Sequence, residues 1–170
     1  YTTLFRSNPE LSFHFNTTIA IISVASMTVG NIMALQQQNV KRMLAFSGIS
    51  HAGFMLMALL SLSSAAGSLF YYAAAYSFAG IGAFTVVLYV CKNRENEDYV
   101  NFHGLGKTNP ALAAVMTISL LSMAGIPIFA GFFAKLGLFN ITIASGFLAV
   151  VIAAVINSII SVGYYFKLIL

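Results

Sequence analysis

Lys135 is the only charged residue in the stretch "AGIPIFAGFFAKLGLF", Ala124–Phe139. A charged lysine within a membrane span costs roughly 2.5–3.5 kcal/mol on insertion scales. No acidic residue is placed to neutralise it, because Glu10, Glu95, Glu97 and Asp98 all fall outside the long apolar runs. Removal from water disfavours a lysine's charged form, so its charge can become switchable near neutral pH. That is the property a proton carrier needs. The alternative is a lysine that snorkels to the membrane surface; the expectation here is an interior, functional Lys135.

His51 is the second such residue. It lies well inside the apolar run that begins at Val40, with Ser47 one turn earlier on nearly the same face and Ser50 beside it. An imidazole gives and takes protons near pH 7. A packing histidine satisfied by a neighbouring hydroxyl fits the same residues equally well. Lys41 and Arg42 open that run. They read first as a positively charged anchor, and for Lys41 also as the mouth of a polar path. Tyr71, Tyr72, Tyr76 and Ser77 form a hydroxyl-bearing stretch, which reads first as aromatic packing and second as a polar lining. The candidate proton path is therefore Lys135, His51 and Lys41, with Ser47, Ser50, Tyr76 and Ser77 as candidate lining. Paired carboxylates, Cys or His clusters at metal spacing, a nucleotide loop and a nucleophile elbow are not found. No cofactor and no metal are expected in this chain.

The elements that must hold these residues are apolar. The chain has 170 residues, 59% hydrophobic and 7% charged, against about 25% charged in a typical soluble domain. An integral membrane protein follows, all-α, as a bundle of five transmembrane segments. The spans run at about 16–35, 40–62, 68–91, 110–144 and 147–170, as a single transmembrane domain. The only long charged loop is "KNRENEDYVNFHGLGKTN", Lys92–Asn109. Alternating crossings put Lys41, Arg42, Lys92, Arg94, Lys107 and Lys167 on one side and Arg6 on the other, so the first side is cytoplasmic. The net charge of +4 bears on orientation rather than on nucleic-acid binding. The single Cys91 makes no internal disulfide. A start at Tyr1 and an end within an apolar run suggest a piece of a longer polypeptide.

The fourth span is too long for one straight crossing. About 34 residues at about 1.5 Å each make roughly 50 Å, against a hydrocarbon core of about 30 Å. Pro127 removes a backbone donor, and Gly125 and Gly131 loosen the helix nearby. The expectation is a discontinuous helix, broken near 125–131. Broken backbone at membrane depth persists only when it is buried in protein or lines a wet cavity.

These residues carry a resemblance. "TVGNIMALQQQNVKRMLAFSGISHAGF", Thr28–Phe54, resembles the Lys-Arg-x-Leu-Ala-Tyr-Ser-Ser-x-Ser-His-x-Gly pattern of the antiporter-like membrane subunits of respiratory complex I. "LLSMAGIPIFAGFFAKLGLF", Leu120–Phe139, is similar to their Leu-Ser-x-x-Gly-Ile-Pro-x-x-x-Gly-Phe-x-x-Lys pattern on a broken helix. "FYYAAAYSFAGIGAF", Phe70–Phe84, looks most like the N-type subunits. The resemblance implies the second of two inverted five-helix repeats. It implies that Lys135 is the broken-helix lysine of a central polar axis, with Lys41 and His51 on or near it. The glutamate and lysines of the first repeat would lie outside this chain.

The implied activity is that of a proton-translocating subunit of NADH:quinone oxidoreductase, a translocase part with no redox site of its own. It would couple quinone reduction elsewhere in the complex to proton transfer along that axis. NADH, FMN, iron–sulfur clusters and quinone would bind other subunits. Its partners would be the other membrane subunits and the lipid bilayer, with no nucleic acid, in a bacterial inner (plasma) membrane rather than an organellar one. The alternatives are a subunit of an Mrp-type cation/proton antiporter and a non-transporting membrane scaffold, to which a costly intramembrane lysine would bring nothing. Two departures stand out: Phe46 and Gly48 occupy positions where Tyr and Ser are usual. They remove two hydroxyls near His51. The third span has no His or Lys, which leaves Tyr76 and Ser77 to keep water there.

Overall fold

The computed structural model describes residues 9–61 and 65–170. Arg6, used above for orientation, and the expected span end at 62 lie outside the described residues. Among the described residues seven helices follow one another: α1 (Pro9–Leu35), α2 (Val40–Leu56, continued by a 3₁₀ turn, Met57–Ser61), α3 (Ala65–Val90), the single turn α4 (Leu105–Thr108), α5 (Pro110–Ala124), α6 (Ala130–Ala144) and α7 (Leu148–Ile169). A further 3₁₀ turn, Tyr99–Phe102, precedes α4. Among the described residues, four helices are long and apolar enough to cross a membrane, and α5 and α6 are shorter apolar helices. The fourth apolar segment is thus divided, with residues 125–129 outside helix.

Local chemistry explains the boundaries. α1 begins earlier than its apolar run, with Glu10 in the first turn, where a carboxylate complements the helix dipole. Asn39 caps α2 by accepting from the Arg42 amide at 3.0 Å, and Asn109 caps α5 by accepting from Leu112 at 3.4 Å. Pro110 follows at the first helical position, where its missing donor is not needed.

Polar contacts join the two ends of the bundle. At one end, the Val40 amide donates to the Glu97 carbonyl at 2.8 Å, and the Asn39 amide donates to Glu97 Oε2 at 3.1 Å. Lys41 pairs with Glu97 at 3.5 Å, more than half exposed. The Asn39 amide first, and Lys41 after it, hold Glu97 below the usual carboxylate range. Lys167, from the last turn of α7, donates to the Gln37 carbonyl at 3.4 Å and lies 4.6 Å from the Tyr99 ring. At the other end, Ser61 donates to the Ile141 carbonyl at 2.9 Å and meets Ser145 Oγ at 2.7 Å. Cysteines introduced at Asn96 and Gln37 should therefore react with an impermeant thiol reagent from the same side of the membrane. Labelling from opposite sides would break this arrangement.

Two buried apolar clusters fill the bundle. One gathers Ala34, Met43, Leu44, Val86, Leu120 and Tyr165. The other gathers Met27, Phe54, Met57, Leu138, Val150 and Ala154. Tyr76 packs against both, and the polar centre lies at their junction. α3 turns Tyr72 inward and leaves Phe70, Phe78 and Ile81 exposed, as a lipid-facing side requires.

Candidate functional site

The break in the fourth segment determines where Lys135 points. Gly125 adopts φ +82°, the left-handed conformation that ends helices. Its amide donates to the Leu121 and Ser122 carbonyls at 3.1 and 3.0 Å, and the Ile126 amide to Leu121 at 3.1 Å. The Ala124 carbonyl is left over for a partner from outside the helix. Lys135 Nζ supplies it, donating at 3.0 Å. Helix side chains lean towards the N-terminus, so a lysine in the second turn of α6 reaches back across the break. There its charge meets the negative end of the α5 dipole. The lysine is 5% exposed, and Nζ stands 5.0 Å from the centre of the Phe54 ring.

Three tyrosines surround His51. Nδ1 is 2.8 Å from the Tyr72 hydroxyl of α3, and Nε2 is 3.1 Å from the Tyr165 hydroxyl of α7. The Tyr76 ring stacks on the imidazole, centroids 4.5 Å apart and planes inclined by 29°. A phenol can donate to a bare ring nitrogen or accept from a protonated one. Either neutral tautomer, and the imidazolium, therefore keeps both nitrogens partnered. The histidine can change protonation without stranding a buried polar atom.

Lys135 and His51 share a cavity. It is lined also by Tyr72, Tyr76, Ser122 and Gly131, and its volume is about 10 Å³, close to the room needed for one water. On its other side Lys135 borders an outward-facing groove of about 290 Å³, walled by Phe132, Leu136, Val155 and Val162. The ammonium thus stands between a small inner cavity and an outward-facing groove.

The other residues singled out from the sequence make no direct hydrogen bond with the Lys135 ammonium or the His51 ring nitrogens. Lys41 is exposed at the loop end of the bundle, roughly 15 Å along α2 from His51 at about 1.5 Å per residue. Ser47 gives its hydrogen to the Leu44 carbonyl of its own helix at 2.8 Å and touches the site indirectly, through a side-chain hydrogen bond with Tyr165. Ser50 is buried, but His51 takes its partners from α3 and α7. Ser77 is exposed, because one helical step from Tyr76 turns the side chain away by about 100°. Pro127 lies in the turn of the break, next to Ile128, whose φ of +91° is unusual for a β-branched residue. Gly131 is inside α6 rather than in the break. A Cβ there would overlap the Ser122 carbonyl, so glycine is what allows the two half-helices to cross so closely.

The sequence reading passed over a second polar group. Tyr164 donates to Asn31 Oδ1 at 2.9 Å. Asn31 Nδ2 donates to the carbonyl and the Oδ1 of Asn157, both at 2.9 Å, and Asn157 Nδ2 donates to Thr28 Oγ1 at 3.2 Å. An asparagine inside an apolar run is a signal that could have found it, because such a group seeks a partner on another helix. Amides do not titrate in the working range, so this group clamps α1 to α7. Asn157→Leu should lower thermal stability by about 1–3 kcal/mol, because Asn31 Nδ2 loses the side-chain acceptor and keeps only the carbonyl of residue 157, and Thr28 Oγ1 loses its donor, with turnover per assembled complex unchanged. Thermal unfolding beside an activity assay checks this; parental stability with lost turnover would contradict it.

Comparison with known proteins bears on this geometry. Residues 2–161 match the family described as NADH:quinone oxidoreductase/Mrp antiporter, transmembrane. The chain is 72% identical over 163 residues to NADH-quinone oxidoreductase subunit N of Flavobacterium johnsoniae, covering 96% of this chain and 35% of that protein. It is 48% identical to the subunit N of Cytophaga hutchinsonii, with 98% and 36% covered. Its fold is similar to a chain of respiratory complex I from Thermus thermophilus with bound aureothin, at TM-score 0.82 and 32% identity, covering 89% of this chain and 35% of that one. A membrane-bound sulfane sulfur reductase, an archaeal respiratory membrane complex, gives TM-score 0.83 at 26% identity, with 92% and 32% covered. The chain therefore spans about a third of the length of these relatives. With most of its length matched, the chain belongs to the NADH:quinone oxidoreductase/Mrp antiporter transmembrane family.

Proposed function

We propose that this chain is the proton-handling part of an N-type subunit of a bacterial NADH:quinone oxidoreductase, with Lys135 and His51 as the groups that carry the proton. The observation that bears most weight is their shared cavity, reached by a buried lysine that donates to a helix-end carbonyl. α5 starts at the end of the bundle that holds Lys41, and α6 finishes beside Ser61. In this reading the two half-helices together make one crossing, the fourth of five, and the loop end faces the cytoplasm. A proton on Lys135 leaves through the break or passes by one water to His51, whose phenol partners accept either protonation state. NADH, flavin, iron–sulfur clusters and quinone belong to other subunits. An Mrp-type antiporter subunit is the alternative reading, since the family's description includes it; the 72% identity to a subunit N favours the first.

His51→Gln keeps a hydrogen-bonding side chain and removes the titratable ring. Placed in the full-length subunit, it should assemble and lower coupled NADH:quinone turnover by about tenfold or more, since a lost proton-transfer group typically costs at least that. Parental turnover in an assembled complex would remove His51 from the path.

A further inference from the structure

Gly48 lies one turn before His51 on α2, and its missing side chain is filled from another helix. A Cβ built on Gly48 would stand 3.0 Å from the Tyr76 hydroxyl, closer than ordinary van der Waals contact. The same Tyr76 stacks on His51. The phenol of α3 therefore lies along α2, with its ring over the imidazole and its oxygen over the bare Gly48 backbone. The imidazole cannot retreat, because Tyr72 and Tyr165 hold both of its nitrogens. A side chain at position 48 can be accommodated only if the Tyr76 phenol gives way, by a few tenths of an ångström for a methyl group.

We propose that Gly48 and Tyr76 are a coupled pair of positioning residues. Gly48 admits the Tyr76 phenol, and the phenol fixes the plane of the His51 ring against the cavity it shares with Lys135. The Tyr76 hydroxyl, brought from α3, thus lies against the place a side chain at position 48 would take. Tyr76 closes the third side of the histidine's cage and walls the cavity, so a shift of its phenol changes the ring stacked on the imidazole and the wall of the cavity together. This inference rests on the proposed proton role of His51 for its effect on turnover. The steric coupling itself does not depend on that role.

The test is a four-protein cycle in the full-length subunit within its complex: parental, Gly48→Ala, Tyr76→Phe and the double variant. Gly48→Ala should lower coupled turnover about fivefold and change its pH profile, a size ordinary for residues in direct contact. Tyr76→Phe keeps the stacked ring, removes only the oxygen that the new methyl would strike, and should lose less than the alanine variant does. The double variant should recover most of the activity lost in Gly48→Ala, and its pH profile should return towards the parental one. Gly48→Ala at both parental turnover and parental stability, or a double variant no better than Gly48→Ala in either measurement, overturns the proposal. If Gly48→Ala does not assemble, an assembled double variant supports the pairing and an unassembled one overturns it. Thermal unfolding of the same four proteins separates the two levels. Recovery of stability without any change in turnover keeps the pairing and overturns its link to His51, whereas a silent His51→Gln indicts the proton reading alone.

Discussion

Lys135→Met in the full-length subunit is expected to assemble normally and to lower coupled turnover by at least about tenfold. Two opposing effects decide the assembly. Removing the lysine relieves an insertion cost of roughly 2.5–3.5 kcal/mol. It also strands the Ala124 carbonyl, which now accepts from Nζ at 3.0 Å, at about 1–3 kcal/mol. These nearly cancel, so the complex should remain about as stable as the parental one. The methionine keeps an unbranched stem beside Phe54 and Gly125, so packing changes little. What disappears is the one ammonium between the inner cavity and the outward groove. Lys135→Arg should also impair turnover: a guanidinium holds its proton too tightly to exchange it and is too broad for a space of about 10 Å³. A methionine variant that assembles and turns over at the parental rate would return Lys135 to the class of packing residues.

Gly131→Ala is expected to be among the most damaging small substitutions in the chain. Its Cβ would overlap the carbonyl of Ser122, which is backbone and cannot turn aside. The Gly131 amide also donates to Ser122 Oγ at 3.3 Å, so separating the half-helices loses a hydrogen bond as well. Forcing them apart should cost about 1–3 kcal/mol or more, the range for overpacking. It should also displace Lys135, one turn further along α6, from the Ala124 carbonyl. Gly137 on the same helix supplies the control. A Cβ there meets only the Ser68 side chain, at 3.4 Å. Gly137→Ala should be neutral or stabilising by up to about 1 kcal/mol, the helix preference of alanine over glycine. Thermal unfolding of the two variants side by side checks the contrast, and equal effects would show that the crossing is not tight at Gly131.

The sequence carries some of this site openly and conceals the rest. Gly125, Pro127 and an apolar segment longer than one crossing announce an interruption, and an unneutralised lysine just beyond it announces an inward-facing charge. Neither needs knowledge of which helices touch. The partners of His51 do need it. Ser47 is its neighbour along α2, yet a serine within a helix readily bonds its own preceding turn, and Ser47 does so with Leu44. The phenol on Nε2 comes from Tyr165, far along the chain on α7. Only the packing of α7 against α1, α2 and α5 brings it there. Lys41 is a different case: its place at the start of an apolar run fits both an anchor and the mouth of a path, and the Glu97 it pairs with belongs to a loop distant in sequence. Asn31 and Asn157 are conspicuous singly, and the clamp they form is visible only when α1 and α7 lie side by side.

The most direct test of the central claim, that Lys135 carries protons in turnover, is the number of protons translocated per electron. It should be measured in proteoliposomes containing the complete complex with parental or Lys135→Met full-length subunit, at matched electron-transfer rates. A lowered ratio in the methionine variant is the predicted result. An assembled variant that keeps the parental ratio would contradict the account.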